Sequence, residues 1–172
     1  MALTKKDKAE ILEMIKSTLG QEKEVPIAKE PWAEWDSITT TKKLDCGLEI
    51  AMVDYYETLE DAGNKTGFTF DEALEIEKKT NGKWRVPTAK EWAQIVLELG
   101  FDEEGKPNVA KFVHDLDLTT DIADDYGAYW SSNFMSGGSY VHHLSFGNAT
   151  FNPTNYGNRY VGKPVRCVRG DK

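Results

Sequence analysis

Apolar residues recur at helical spacing in the first stretch of the chain, Leu3–Gly20. Thr4 can cap the start of this helix, Asp7 suits the positive end of its dipole, and Gly20 suits its end. The apolar stripe is formed by Ile11, Leu12, Ile15 and Leu19. Because one short helix is only marginally stable alone, the stripe must pack on its own domain, on other copies of the chain or on a larger assembly.

Two further helices are marked by capping boxes, in which a threonine is followed three residues later by a glutamate. The first box is Thr69 with Glu72, and the second is Thr88 with Glu91. The second leads into an apolar face with the spacing of a helix, formed by Trp92, Ile95, Val96 and Leu99. A short third helix in an insertion is predicted from apolar residues at Val109, Phe112, Val113 and Leu116.

The last third of the chain changes to short strand patterns. Ala128–Ser131 predicts a short strand, and apolar and polar residues alternate along Tyr140–Phe146. Asn152–Asn158 is rich in Asn, Pro and Gly and is interpreted as a loop, whereas Val165–Val168 predicts a buried closing strand. The earlier apolar run Leu44–Leu59 fits either a strand pair or a short helix. Helices followed by a compact antiparallel sheet indicate an α+β domain.

The segment before this domain has no clear period. Glu22–Ser37 holds two prolines and several acids and is interpreted as a linker that docks through Trp32 and Trp35. The chain is therefore divided into an N-terminal helix and linker for attachment or oligomerisation, residues 1–40, and a binding domain, residues 41–172.

Composition excludes several classes of function. The 172 residues carry a formal net charge of −8 at pH 7, which argues against a general nucleic-acid surface. No apolar run approaches the ~20 residues of a membrane helix, and the start of the sequence lacks the apolar region of a secretory signal. Cys46 and Cys167 cannot complete a four-ligand zinc site; they could pair with each other, but two buried thiols in a reducing cytosol is the preferred interpretation.

Four motifs together resemble the C-type lectin fold. The resemblance is greatest to the bacterial and phage branch that includes formylglycine-generating-enzyme-like domains and the variable proteins of diversity-generating retroelements. The motifs are Phe68–Ala73, Gly82–Trp92, Tyr129–Ser132 and Val165–Arg169. They span about Leu44 to Arg169 and imply a C-type-lectin-like domain with two helices and a small antiparallel sheet, plus the N-terminal helical extension.

This resemblance implies a binding module whose last strands and loops recognise a ligand, while two helices and paired terminal strands hold the frame. In retroelement-diversified members the final segment is rewritten at adenine positions, and Asn133–Tyr160 has a fitting composition. Its Tyr, Ser, Asn and Gly content also resembles an antibody paratope, although the same residues suit ordinary turns and wet strand faces. The candidate ligand-binding residues are Asn133, Phe134, Met135, Tyr140, His143, Ser145, Asn148, Thr150, Asn152, Thr154, Asn155, Tyr156, Asn158 and Tyr160.

Catalytic and metal chemistry is not expected. His142 and His143 are adjacent on a strand, so they point to opposite faces and cannot ligate one metal together. The segment from Ser131 to Arg169 contains no Asp or Glu, which argues against calcium-dependent sugar binding. A formylglycine-generating enzyme would need a reactive cysteine pair, and this region offers only Cys167. We therefore expect no catalytic residues, no metal and no cofactor.

Three hypotheses of function follow from the sequence. The first is a receptor-recognition protein, in the form of a retroelement-diversified phage or bacterial surface-display protein, that binds a protein or glycan on a target cell. Its N-terminal helix would join copies of the chain or a virion, and it would be made in the cytosol and displayed on a virion or cell surface. The second is a structural or assembly protein of a virion or surface complex, with a fixed and more apolar interface. The third is an enzyme of the formylglycine-generating branch, which the cysteine content disfavours.

Overall fold

A computed structural model describes residues 31–56, 67–120 and 126–170 of the chain. The described helices are α1 (Pro31–Ile38), α2 (Phe70–Lys79), α3 (Ala89–Leu99) and α4 (Val109–Leu116). The strands are β1 (Thr41–Lys43), β2 (Glu49–Ala51), β3 (Gly127–Phe134), β4 (Tyr140–Gly147), β5 (Thr150–Asn158) and β6 (Val168–Arg169). This arrangement confirms the predicted α+β class. The predicted helix at Leu3–Gly20 lies outside the described residues.

The first sheet joins the two ends of the described domain in the order β1-β2-β6. The described part of the ambiguous run, residues 44–56, contains strand β2 and no helix. The strand that pairs with β2 is β1, which lies before the run, with a turn at Gly47 between them. The predicted closing strand is buried, as expected, but its regular ladder is short. Ile50 pairs with Val168, whereas the carbonyl of Val165 accepts a single bond from the Tyr55 N–H at 2.8 Å.

The second sheet has the order β3-β4-β5, with β5 at the edge in the described part of the chain. The interpretation of Asn152–Asn158 as a loop is wrong, because these residues form most of β5. Pro153 lacks an N–H group, but an edge strand tolerates proline since only one of its sides must form a ladder. The β4–β5 register shifts between His143 and Ser145, which marks a bulge beside the proline.

Both capping boxes form as predicted. The Thr69 hydroxyl accepts from the Glu72 N–H at 3.4 Å, and the Glu72 carboxylate accepts from the Thr69 N–H at 2.7 Å. The corresponding distances in the Thr88 box are 3.1 and 2.8 Å. The third predicted helix is α4, and Asn108 caps it by accepting from the Lys111 N–H at 2.9 Å.

The predicted linker contains helix α1 and supplies a core residue. Trp35 is fully buried, with its ring edge-on to Tyr55 at 5.2 Å and to Trp84 at 5.3 Å. Its indole N–H donates to the carbonyl of Asp54 at 3.0 Å. Trp35 therefore docks as predicted, and α1 packs as part of the domain. The side chain of Trp32 lies outside the described residues.

Two apolar clusters pack against opposite faces of the second sheet. The adjacent residues Tyr129 and Trp130 on β3 are both fully buried, and they belong to different clusters. Helices α3 and α4 cover the face of Tyr129, Leu144 and Phe146, while α2 covers the face of Trp130 and Val141. The sheet is thus fixed from both sides, which holds the exposed β5 edge in a defined position.

A buried ion pair links the two ends of the domain. Arg166 is 1% exposed, and its Nη2 atom lies 2.8 Å from Asp54 Oδ1. This contact is an ion pair without hydrogen-bond geometry. The same nitrogen donates a hydrogen bond to the Asp117 carbonyl at 2.7 Å. Asp54 also accepts from Tyr129 at 3.0 Å and from Thr119 at 2.8 Å. Burial raises the pKa of Tyr129, so its hydroxyl stays protonated and donates.

Candidate binding surface

Strand β5 exposes every second residue along its length. The exposed positions are Thr150, Asn152, Thr154, Tyr156 and Asn158, and all five belong to the predicted ligand-binding set. Tyr160, in the turn that follows, is 69% exposed. The physical cause is the pleat of the strand, because successive side chains point to opposite faces of the sheet and only alternate ones pack against the domain. The register shift at the bulge places Thr150 and Asn152 on the sheet face of Ser145, and Tyr156 and Asn158 on the opposite face, that of His142. The exposed residues thus form a strip that follows the edge strand and changes sheet face at the bulge.

The strip is too long to be a single compact pocket. At about 3.3 Å per residue, Thr150 and Asn158 are separated by about 26 Å. One end of the strip lies beside the connection between β3 and β4 and is here named the hairpin end. It holds exposed aromatic residues from three strands and a turn: Phe134, Tyr140, Tyr156 and Tyr160. The opposite extremity, the turn end, holds Asn148 and Thr150 beside the β4–β5 turn. A strip of this length suits a macromolecular ligand better than a small molecule.

Aromatic side chains at the hairpin end are exposed and ordered by mutual contacts. Tyr140 and Tyr156 are 53% and 57% exposed, and their rings meet edge to face at 6.0 Å. Phe134 is 55% exposed and packs edge to face on the buried Phe70 at 4.9 Å. These contacts fix large aromatic areas at the surface, which lowers the entropy cost of binding through them.

Arg159 fixes the hairpin end to helix α2, and sequence reasoning did not identify it. Its guanidinium forms an ion pair with Asp71 at the start of α2 and donates to the carbonyl of Gly138 at 3.0 Å. The same group lies 5.7 Å from the ring of Phe134 and 5.9 Å from that of Tyr160. Arg159 therefore positions Phe134 and Tyr160.

Several predicted residues serve the frame instead. Asn133 accepts from the Ala89 N–H at 2.6 Å and so helps to cap α3. His143 is 6% exposed and packs edge-on to Trp130, so its predicted role as a surface contact is wrong. Its direct neighbour His142 is the half-buried histidine that lies opposite Tyr156. The side-chain direction of a histidine pair depends on which face is covered, and the sequence does not contain that information.

Three other predicted residues are half-buried. Met135 follows β3, and Asn155 donates to the Ser145 hydroxyl at 2.9 Å across the bulge. Asn155 and Ser145 thus hold β5 on β4, while their exposed portions can still contact a ligand. The remaining predicted residue, Asn148, is exposed and donates to the Tyr126 hydroxyl at 3.1 Å.

Asparagine side chains occupy two backbone N–H groups along β5. The N–H of Thr154 donates to Asn152 at 3.2 Å, and the N–H of Tyr156 donates to Asn155 at 2.9 Å. Pro153 contributes no N–H group. These local bonds compete with the addition of another strand, which is the usual hazard of an exposed edge. A partner of this strip is therefore expected to contact side chains rather than extend the sheet.

Charge on the binding side is largely neutralised. Residues 126–170 contain four basic residues and no acid: Arg159, Lys163, Arg166 and Arg169. The three arginines pair with carboxylates from elsewhere, on Asp71, Asp54 and Glu49. For Lys163, no ion pair exists within the described part of the chain. The aromatic strip therefore presents mainly neutral hydrogen-bonding groups.

The cysteines differ from the preferred interpretation. Both thiols are free, and Cys46 is exposed whereas Cys167 is buried. Burial raises the pKa of the Cys167 thiol, which makes it a poor nucleophile. Within residues 31–56, 67–120 and 126–170, no group of three His, Cys, Asp or Glu side chains could hold a metal ion.

A cavity of about 550 Å³ lies beside the N-terminus of α3, away from the strip. Its wall contains Arg85, which bonds both oxygens of Glu91 at 2.6 and 2.7 Å. Arg85 is thus held by an ion pair within the frame of the domain. The Glu91 hydrogen bonds raise the pKa of Arg85, and Glu91 also closes the Thr88 capping box. The Arg85–Glu91 pair therefore fixes the backbone at the N-terminus of α3.

Acid is expected to destabilise the domain through His143. Burial, with the nearby charges of Lys163 and His142, lowers the pKa of His143 from 6.5 to about 4. Between these values the unfolded chain binds a proton that the folded domain does not, so stability falls as the pH decreases from about 6.5 to 4. The loss is at most about 3 kcal/mol. Urea unfolding at several pH values should show this slope, which His143→Gln removes and His142→Gln retains. An unchanged slope in His143→Gln would contradict the assignment.

Comparison of the chain with protein-family models, with curated proteins and with solved structures finds no match. The class of the protein is therefore defined by its own fold and surface. It is an α+β domain with two small antiparallel sheets, and it has an ordered aromatic strip on one sheet edge. None of the helices in the described residues is long and apolar enough to cross a membrane.

Proposed function

We propose that this protein is a ligand-binding, receptor-recognition protein with a C-type-lectin-like fold. Its binding surface is the β5 strip together with the hairpin end. The observation that carries the proposal is the row of exposed Tyr, Asn and Thr side chains along the edge strand β5, whose neighbours β3 and β4 are packed on both faces. Rigid aromatic area combined with adaptable hydrogen bonders is the composition of binding loops in antibodies.

The frame of the domain supports the C-type-lectin-like assignment. The first and last described strands share one sheet, because β2 pairs with both β1 and β6. Two capped helices, α2 and α3, lie between them in sequence and pack on the second sheet. The resemblance of the sequence implied this division between a fixed frame and a terminal binding sheet.

The strip also supports diversification by a retroelement. Its exposed positions alternate with half-buried ones, so substitutions at alternate positions would change the surface and leave the packing intact. A protein of this kind would bind a protein or glycan on a target cell from a virion or a cell surface. Joining copies through the N-terminal helix would raise avidity by ~10²–10⁴ without new contacts.

A fixed assembly interface is the second candidate, and one observation favours it. Phe134 and Val161, which are wholly apolar, are 55% and 53% exposed near the hairpin end. A permanent interface is more apolar than a transient one. Under this alternative the strip would bind one invariant partner, and its residues would not vary between copies of the gene.

Binding by the hairpin end is tested with tyrosine variants of the tetramerised protein on intact bacterial strains and on a glycan array. The double variant Tyr140→Ala, Tyr156→Ala should lose binding at least about 30-fold, because central aromatic residues dominate interface energies. Tyr126→Ala is the matched control, since Tyr126 is 47% exposed but lies beside the turn end. Equal binding by the double variant and the original protein would contradict the proposal, as would absence of binding to every strain and glycan.

A further inference from the structure

A groove of about 430 Å³ opens between helix α3 and strand β5, at the turn end of the strip. Its lining includes Phe101 and Phe151, which are half-buried and whose rings lie 6.1 Å apart. Leu97 of α3, which is 71% exposed, lines one side, and Pro153 of β5 lines the other. Phe151 also packs edge to face on the buried Phe112 at 5.0 Å. The groove is therefore an open extension of the core, and the core fixes its shape.

The lining of the groove is almost entirely apolar. Its other members are Ala93, Val96, Pro107, Ala149 and Thr150. Among the described residues of the lining, Thr150 alone has a polar side chain, and its hydroxyl donates to the Gly147 carbonyl at 2.8 Å. A sugar would lose the hydration of its hydroxyl groups here without gaining partners, which costs free energy. An aliphatic or aromatic side chain, in contrast, is stabilised by burial in such a site.

The groove and Tyr156 of the hairpin end lie on the same face of the second sheet. Phe151 pairs with Phe146 on β4, and Tyr156 pairs with His142. Since His142 and Phe146 are four residues apart on one strand, their side chains point to one face, and their partners share that face. The two pairs are separated by about 13 Å along β4, at about 3.3 Å per residue. An extended ligand segment of about five residues thus reaches both the groove and Tyr156.

An acidic turn borders the groove. Phe101 and Pro107 pair with each other at the base of this turn, and both line the groove. Residues 102–106 between them carry three acids and one lysine, which is a net charge of −2. Asp102 closes the turn by accepting from two of its backbone N–H groups, at 2.8 and 3.0 Å, and Glu103 is exposed. The negative field beside the groove therefore favours a basic group on the ligand.

We infer that the ligand of the strip is a protein, and that the groove takes one of its apolar side chains, flanked in sequence by lysine or arginine. The inference rests on the proposed function, because it names the class of ligand for the same surface. The apolar lining selects the side chain, the acidic turn selects its basic neighbour, and Tyr156 contacts the segment about four residues away. These are side-chain contacts, which agrees with the occupation of two β5 N–H groups by asparagine.

The experiment is an NMR titration of the full-length chain with acetyl-Lys-Leu amide at low ionic strength, where charges are least screened. The resonances of Ala93, Leu97 and Ala149 should shift and saturate, with a midpoint of about millimolar concentration for so small a ligand. Acetyl-Glu-Leu amide should have a midpoint about threefold higher, and methyl galactoside should cause no shift. Ala93→Phe, which fills the groove, should abolish the shift. Ala110→Phe, at an exposed alanine on α4, is the matched control and should leave the midpoint unchanged.

Three results would overturn the inference: no shift with either peptide, equal midpoints for the lysine and glutamate peptides, or an equal shift with methyl galactoside. Retained amide spectra show that the variants are folded. On bacterial strains that the tetramerised protein binds, the Ala93→Phe tetramer should bind at least tenfold less, and equal binding would remove the groove from the binding surface. Failure of the proposed function is a separate result, because the peptides titrate the groove without the natural ligand and the tyrosine variants test the strip independently.

Discussion

Replacing Arg166 with methionine is expected to lower the free energy of unfolding by about 3 kcal/mol, because it removes a buried guanidinium and leaves the half-buried Asp54 without its counter-charge. Arg166 also donates to the carbonyl of Asp117, so two distant parts of the chain lose a common partner. Methionine preserves much of the volume and isolates the loss of charge and hydrogen bonds. Urea unfolding followed by tryptophan fluorescence measures the change.

Arg169→Met is the matched control for this experiment. Arg169 is also paired, with Glu49 at 2.6 Å, but it is more exposed than Arg166. Exposed pairs contribute little because water and salt screen them, so the loss should be much smaller than for Arg166→Met. Equal losses for the two variants would show that the buried network does not link the ends of the domain as described.

Replacing Trp35 with alanine should cost about 3–5 kcal/mol of stability, the usual range for emptying a buried aromatic site. Trp35 is fully buried between Tyr55 and Trp84, and its indole donates to a backbone carbonyl. The result would assign α1 to the folding unit, although the sequence placed it in the N-terminal extension. Thermal and urea unfolding should show one shifted, cooperative transition.

Trp35→Phe separates the two contributions of this residue. Phenylalanine keeps most of the ring contact but loses the hydrogen bond to the Asp54 carbonyl, so it should cost clearly less than alanine. If Trp35→Ala unfolds at the same urea concentration as the unmodified chain, α1 contributes nothing to the stability of the domain.

Local signals in the sequence predicted the helices well. The Thr69 and Thr88 capping boxes, and the periodic apolar face that follows Thr88, depend on residues within one or two turns of each other. Strand β5 was missed because Asn, Pro and Gly suit turns, and their tolerance at a sheet edge depends on the neighbouring strand. Pairing between distant segments is a property of the fold and leaves little trace in a local pattern.

The candidate surface was predicted in part for the same reason. Alternation along β5 placed the exposed residues correctly once the strand itself was known. Arg159 lay inside the predicted segment but was not chosen, since its role depends on Asp71, far away in sequence. The groove at the turn end was missed because α3 and β5, which line it, are distant in sequence. The sequence predicted His143 rather than His142 as a surface residue, because a local pattern does not show which face of β4 is buried.

The most direct measurement is the sequencing of many copies of this gene from one population, together with the neighbouring DNA. The proposal predicts substitutions at adenine-bearing codons of the exposed positions, beside a near-identical template and a reverse transcriptase. These positions are Tyr140, Thr150, Asn152, Thr154, Tyr156, Asn158 and Tyr160. Buried neighbours such as Trp130, Val141 and Leu144 should stay constant. A strip as invariant as the buried core, with no template nearby, would contradict diversification and favour a fixed interface.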